Sequence, residues 1–150
     1  MNFQNPTLED IAALLARVKT IAVVGLSPKP DRPSFAVSRA MQGLGYRIVP
    51  VRPATGAILG EKTYARLADI PFPVDLVNVF RDSAAIPGVV AEILALGQTH
   101  GAPAIWIQEG IVHEAAARHA RAQGLTVVMD RCIWKDRVRL SAVNLATIAS

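Results

Sequence analysis

Five cations follow four separate β-branched runs. Lys29 and Arg32 come after Thr20–Gly25, Arg52 after Tyr46–Val51, Arg81 after Val74–Phe80, and Arg131 after Leu125–Met129. Carboxylates share these loops (Asp31, Asp82, Glu109 and Asp130), so the set is not of one sign. Any one of these charges alone reads as ordinary solvated surface. Their recurrence in four loops points to an anionic ligand, most naturally a phosphorylated one, because guanidinium groups pair phosphate oxygens bidentately.

The first loop narrows the ligand. A dinucleotide loop would read G-x-G-x-x-G, with glycines that let the backbone approach the diphosphate. Here Gly25, Ser27 and Pro30 occupy those positions, and the fingerprint is absent. The loop is longer, stiffened by Pro28, Pro30 and Pro33, and ends in Arg32-Pro33-Ser34. Ser34 suits the N-cap of the helix that follows, and free amides at that helix start can receive a phosphate. A rigid turn with a capping serine and no ligand is the other reading of this loop. The end of the second run discriminates better. An NAD site needs an acidic residue there for the ribose hydroxyls. The chain has Arg52-Pro53 instead, which suits a phosphorylated ribose. Two cofactors remain: NADP, with a 2′-phosphate, or coenzyme A, with a 3′-phosphate.

No catalytic set emerges from the residue types. His100, His113 and His119 lack metal-ligand spacing, and His113 and His119 fall on different faces of one helix, as surface residues. No metal site is expected. Ser27 and Ser34 have no histidine partner in a neighbouring loop. Cys132, in Asp130-Arg131-Cys132, is the one candidate nucleophile, with Arg131 placed to lower its pKa. A buried, inert cysteine is the alternative.

The elements that must position these residues follow from periodicity. Thr7 can cap a helix over 8–18, with Glu9 and Asp10 at its positive end and Leu8, Ile11, Leu14, Leu15 and Val18 at helical spacing. Five nearly continuous apolar runs then read as strands buried on both faces: Thr20–Gly25, Tyr46–Val51, Val74–Phe80, Pro103–Gln108 and Leu125–Met129. Helical patterns lie between them at Ser34–Leu44, Ile86–Leu96 and Val112–Gln123, with a short one near Tyr64–Ala68. Gly45, Gly97 and Gly124 stand where C-terminal caps belong. Trp106, between Ile105 and Ile107 in a central strand, belongs to the core. The sum is an α/β chain with a doubly wound, mainly parallel five-stranded sheet and helices on both faces. In such a sheet ligands bind beyond the carboxyl ends of the strands, where the cationic loops fall.

Composition agrees. The chain has 150 residues, 51% of them apolar and 19% charged, with 16 Lys plus Arg against 12 Asp plus Glu. That length suits one domain over 1–150, with an N-terminal helical segment (1–19) and a C-terminal extension (133–150) of unclear pattern. The apolar content excludes disorder, and no run reaches the roughly 18 apolar residues of a membrane span. The first ten residues lack a basic stretch followed by an apolar one, and a lone cysteine excludes an internal disulfide. A cytoplasmic location is expected. Twelve of the sixteen cations are Arg, but they are scattered and dense only over Arg131–Arg139, which does not make a nucleic-acid binder.

Five motifs in order carry a family resemblance. They are Ile-Ala-Val-Val-Gly-Leu-Ser (21–27), Arg-Pro-Ser (32–34), Val-Phe-Arg (79–81), Trp-Ile-Gln-Glu-Gly-Ile (106–111) and Val-Met-Asp-Arg-Cys (128–132). Together they resemble the small stand-alone CoA-binding domains, which are similar to the N-terminal CoA-binding domain of the succinyl-CoA synthetase alpha subunit. The resemblance spans roughly 15–140. It implies a Rossmann-like fold with coenzyme A or an acyl-CoA at the switch-point end. Gly25, Ser27, Arg32, Pro33 and Ser34 would then hold the diphosphate, and Lys29 of the same loop is a further candidate for cofactor binding. Arg52 and Pro53 would lie by the phosphorylated ribose or adenine. Val79, Phe80 and Arg81 would flank the adenosine, and Gln108 and Gly110 would line the path of the pantetheine arm; Cys132 is a further cofactor-site candidate, open to a mixed disulfide if the pantetheine thiol reaches it. Relatives often have Asn at position 52 and Asp at 78, so a phosphate role for Arg52 rests on its charge alone. Ligase activity is not implied, because the synthetase carries its phosphohistidine in a further domain. The expected role is accessory or regulatory CoA binding. The alternatives are an NADP-type oxidoreductase and a nucleotide-sensing module that touches a partner protein through Ile133 and Trp134.

Overall fold

The computed structural model describes residues 3–53, 56–97 and 102–149, with side chains up to residue 141. His100, Ala54 and Thr55 lie outside the described residues. Five strands, β1 (Thr20–Val24), β2 (Arg47–Val51), β3 (Leu76–Val79), β4 (Ala104–Gln108) and β5 (Val127–Arg131), form one sheet in the order β2-β1-β3-β4-β5. Every pairing is parallel. Helices α1 (Leu8–Arg17), α2 (Pro33–Gly43), α3 (Ile86–Leu96), α4 (Glu114–Ala122) and α5 (Ile133–Ala149) cover the two faces. This is the Rossmann-like α/β architecture expected from the sequence.

The strands are apolar on both sides because both sides are covered. Ala22, Val77, Ile105 and Val127 face one cluster with Ile86, Val90 and Ile93 of α3 and Ala117 and Ala120 of α4. Ile21, Val23, Leu76, Trp106 and Val128 face the other with α1, α2 and the start of α5. Trp106 is fully buried, and its indole N–H donates to the Arg131 carbonyl at 2.7 Å. The β2–β1–β3 order places a topological switch point between β1 and β3, whose following loops leave in opposite directions.

Thr7 caps α1 as expected, accepting from the Asp10 amide at 3.2 Å. The short helical pattern near Tyr64 becomes a single 3-10 turn at Leu67–Asp69. Tyr64 itself lies along the outer edge of β2, where its amide donates to the Pro50 carbonyl at 3.0 Å. Edge position also explains a proline inside β2. His113 is not a plain surface residue of α4: its Nδ1 accepts from the Ala116 amide at 3.1 Å and caps the helix.

The C-terminal extension is a long helix, and its Arg137 helps to dock it. Tyr46 donates its hydroxyl to the Leu15 carbonyl at 2.6 Å and accepts from Arg137 Nε at 2.9 Å, which ties α1, β2 and α5 together. Tyr46→Phe should lower the unfolding free energy by about 1.5 kcal/mol, since a buried carbonyl and a guanidinium each lose a partner. A urea midpoint unchanged from wild type would refute that coupling.

Candidate functional site

The loops at the carboxyl ends of β1, β2, β3, β4 and β5 enclose a cavity of about 850 Å³. That is the size of a cofactor pocket. From the β1 loop come Gly25, Ser27, Lys29, Arg32, Pro33 and Ser34; from β2, Arg52; from β3, Phe80 and Arg81; from β4, Gln108; after β5, Cys132. Pro53, Val79 and Gly110 do not line it. Val79 is fully buried in the sheet, in the cluster under α3. Gly110 instead donates its amide to Asp130 Oδ1 at 2.8 Å.

Gly25 makes the cavity floor possible. Its φ is +86°, and a Cβ there would lie 2.4 Å from the Phe80 carbonyl oxygen. Only glycine lets the β1 and β3 loops meet this closely at the switch point. Beyond it, Ser34 is not the N-cap of α2. The helix begins one residue earlier with Pro33, capped by Arg32 backbone, and the buried Ser34 hydroxyl accepts from the Ser27 amide at 3.0 Å. Proline at the first helical position displaces the cap, because its fixed φ suits that position and its missing N–H costs nothing there. Ser34 thus folds the loop back over the helix start, where Pro33 has no N–H and the Phe35 and Ala36 amides both donate to the Arg32 carbonyl, at 3.1 and 3.2 Å.

The cations differ in their engagement. Among the described residues, Lys29, Arg32 and Arg81 make no ion pair. Arg52 is half-buried; its Nη1 reaches the Leu26 carbonyl at only 3.4 Å, and its Nε is buried without a partner. Arg131 does not belong to the set. It is held bidentately by the buried Asp136, at 2.6 and 2.9 Å, and Asp136 raises its pKa through that hydrogen bond, partly offset by burial. Arg131 does not line the cavity and anchors the first turn of α5. Asp136→Asn should cost about 2 kcal/mol, below the value for a fully buried pair because the Arg131 side chain is 27% exposed. Denaturant unfolding measures it, and a loss under about 0.5 kcal/mol would show the pair to be dispensable.

The cation beside Cys132 is Lys135. It lines the cavity, as does Trp134, and both come from the first turn of α5. Lys135 Nζ pairs with Glu109 at 3.0 Å, which raises its pKa above the usual lysine value. A rule that inspects only the residues directly after each strand stops at Cys132. The signal that extends it is an α-helix starting at residue 133, which the polar Asp136 within its apolar stripe obscures. Among the described residues, no group of three or more His, Cys, Asp or Glu could hold a metal ion.

Residues 19–137 match the family described as the CoA binding domain. The chain belongs to this family. The CoA-binding domain described here is 48% identical over 130 residues to the Bacillus subtilis protein named Uncharacterized protein YneT, covering 87% of this chain and 93% of that one. It is also 32% identical over 81 residues to an ADP-forming acetate–CoA ligase II of Archaeoglobus fulgidus, covering 53% of this chain but 12% of the ligase. Among solved structures, a cell-free-expressed Thermus thermophilus protein superposes with a TM-score of 0.83 at 36% identity, covering 90% of this chain and 99% of that one. The family match directs the phosphorylated-ribose reading to coenzyme A rather than to NADP. No helix of the described residues is long and apolar enough to cross a membrane.

Proposed function

We propose that this CoA-binding domain holds coenzyme A, free or acylated, in the cavity at the strand carboxyl ends. The observation that carries the reading is the Arg52 Nε, buried without a partner at a cavity that also receives Lys29, Arg32 and Arg81, which make no ion pair among the described residues. A buried guanidinium nitrogen left unsatisfied is costly, and an anion that completes its hydrogen bonding removes that cost. The residues present fit the cofactor. Lys29 and Arg32, with Ser27 and Ser34 beside them on the β1 loop, suit a diphosphate. Arg52 suits a ribose 3′-phosphate. Val37, Ile111 and Trp134 supply apolar wall for the rest, and Gln108 and Cys132 form the inner end.

The role that follows is accessory: the protein binds, buffers or senses CoA in the cytoplasm, and any partner protein reads its loaded state. Thermal unfolding with added CoA tests the binding. At a concentration a hundredfold above Kd, the folded state should gain about 2.7 kcal/mol. NADPH at the same concentration should leave the melting temperature unchanged. A shift with NADPH and none with CoA would replace this reading by the oxidoreductase one.

A further inference from the structure

We propose that the cavity is built for thioesters of uncharged acyl groups, and that Glu109 is the specificity-determining residue that turns away an acyl group ending in a second carboxylate. This rests on the CoA reading above and names the class of thioester the same cavity would take. The strand order β2-β1-β3-β4-β5 sets the cavity walls out in a line. Lys29, Arg32 and Arg52 stand at the β1 and β2 loops, whereas Glu109, Cys132, Trp134 and Lys135 stand after β4 and β5. β2 and β5 are separated by roughly 19 Å at the usual strand spacing. A ligand whose phosphates meet the first group extends its other end toward the second.

The charge along that line is uneven. Among the described residues, the β1 and β2 loops bring only cations to the cavity wall, and none of the three makes an ion pair. The β3 loop supplies one charge of each sign, Arg81 and Asp82. At the far end the cation is already engaged: Lys135 Nζ donates to both Glu109 carboxylate oxygens, at 3.0 and 3.3 Å. That end is therefore neutral where the other is strongly positive. It is also apolar. Ile111 and Trp134 line it beside the buried Cys132, and Trp134 stays 41% exposed. An acyl chain laid against the indole would remove that surface from water.

A carboxylate on the acyl group meets a different reception. Lys135 can take it only by giving up Glu109, and the displaced Glu109 carboxylate then lies within reach of the incoming one. Two carboxylates at one ammonium repel, and a bound cofactor keeps out the water that would screen them. A neutral acyl group leaves the pair closed. The selection thus comes from a repulsive element, not from an added attraction. The pair contributes little to folding, since its two side chains are 69% and 54% exposed.

Calorimetry of the intact chain with CoA, butyryl-CoA and succinyl-CoA tests this, because the two acyl chains match in length and differ in a terminal methyl or carboxylate. Succinyl-CoA should bind about tenfold more weakly than butyryl-CoA. In Glu109→Gln, which frees Lys135, that gap should close to within about twofold. The readout is the ratio of the two thioesters within each variant, so a change in overall charge cancels. Succinyl-CoA bound as tightly as butyryl-CoA by the wild type, or a ratio unchanged in Glu109→Gln, overturns the acyl assignment and leaves the CoA reading standing. Heat with CoA but with neither thioester does the same. No heat with CoA itself removes the CoA reading, and the acyl assignment with it.

Discussion

Gly25→Ala is expected to lower the unfolding free energy by about 3–4 kcal/mol, the largest stability loss at any residue of the cavity. Two costs add. The backbone there has φ +86°, which an L side chain adopts only with strain. The new Cβ would also lie 2.4 Å from the Phe80 carbonyl oxygen and 3.1 Å from its carbon. Neither neighbour yields cheaply. The Phe80 amide donates to the Val24 carbonyl at 2.8 Å, and the Gly25 amide to the Val51 carbonyl at 2.9 Å, so moving either strand end breaks the β3–β1–β2 ladder. Gly110→Ala is the control. Its φ is +87°, but a Cβ there meets nothing within 4 Å, so only the backbone cost of about 1 kcal/mol applies. Urea unfolding of the two variants separates the terms. Equal losses would show that the close approach to Phe80 does not matter.

Arg52→Ala is expected to weaken CoA binding about a hundredfold, about 2.7 kcal/mol, the size of a charge-assisted contact to phosphate. The same change should leave stability nearly untouched. Among the described residues, the side chain's one hydrogen bond is the long 3.4 Å approach to the Leu26 carbonyl, and its Nε is already unsatisfied. Affinity falling while the urea midpoint holds distinguishes a ligand contact from a structural one. If Arg52 meets the 3′-phosphate, the variant and the wild type should bind dephospho-CoA alike. An undiminished loss with dephospho-CoA would move the Arg52 contact elsewhere on the ligand.

The strands and most helices were legible because burial on both faces writes nearly continuous apolar runs, and because Ile86–Leu96 has its helical boundaries marked in sequence. Where reading and structure part, a local contact decides. β5 runs to Arg131 rather than ending at Met129, because Asp130 takes a left-handed φ of 59° and a register shift pairs Gln108 with Arg131. That bulge turns Arg131 from the cavity to Asp136. The α5 pattern was obscured by the same pair: a buried carboxylate sits among Ile133 and Leu140, and only its guanidinium partner makes it tolerable there. Cationic loops could be assigned to one end of the sheet from strand ends alone. Which cations stay unpaired depends on Glu109 and Asp136, whose partners lie 26 and 5 residues away.

The central claim is that the cavity holds CoA through its phosphates. Isothermal calorimetry of the intact chain with CoA, and then with dephospho-CoA, tests it most directly. The account predicts one CoA per chain, with dephospho-CoA bound about a hundredfold more weakly. No detectable heat from CoA, at concentrations where the folded state is intact, would contradict it.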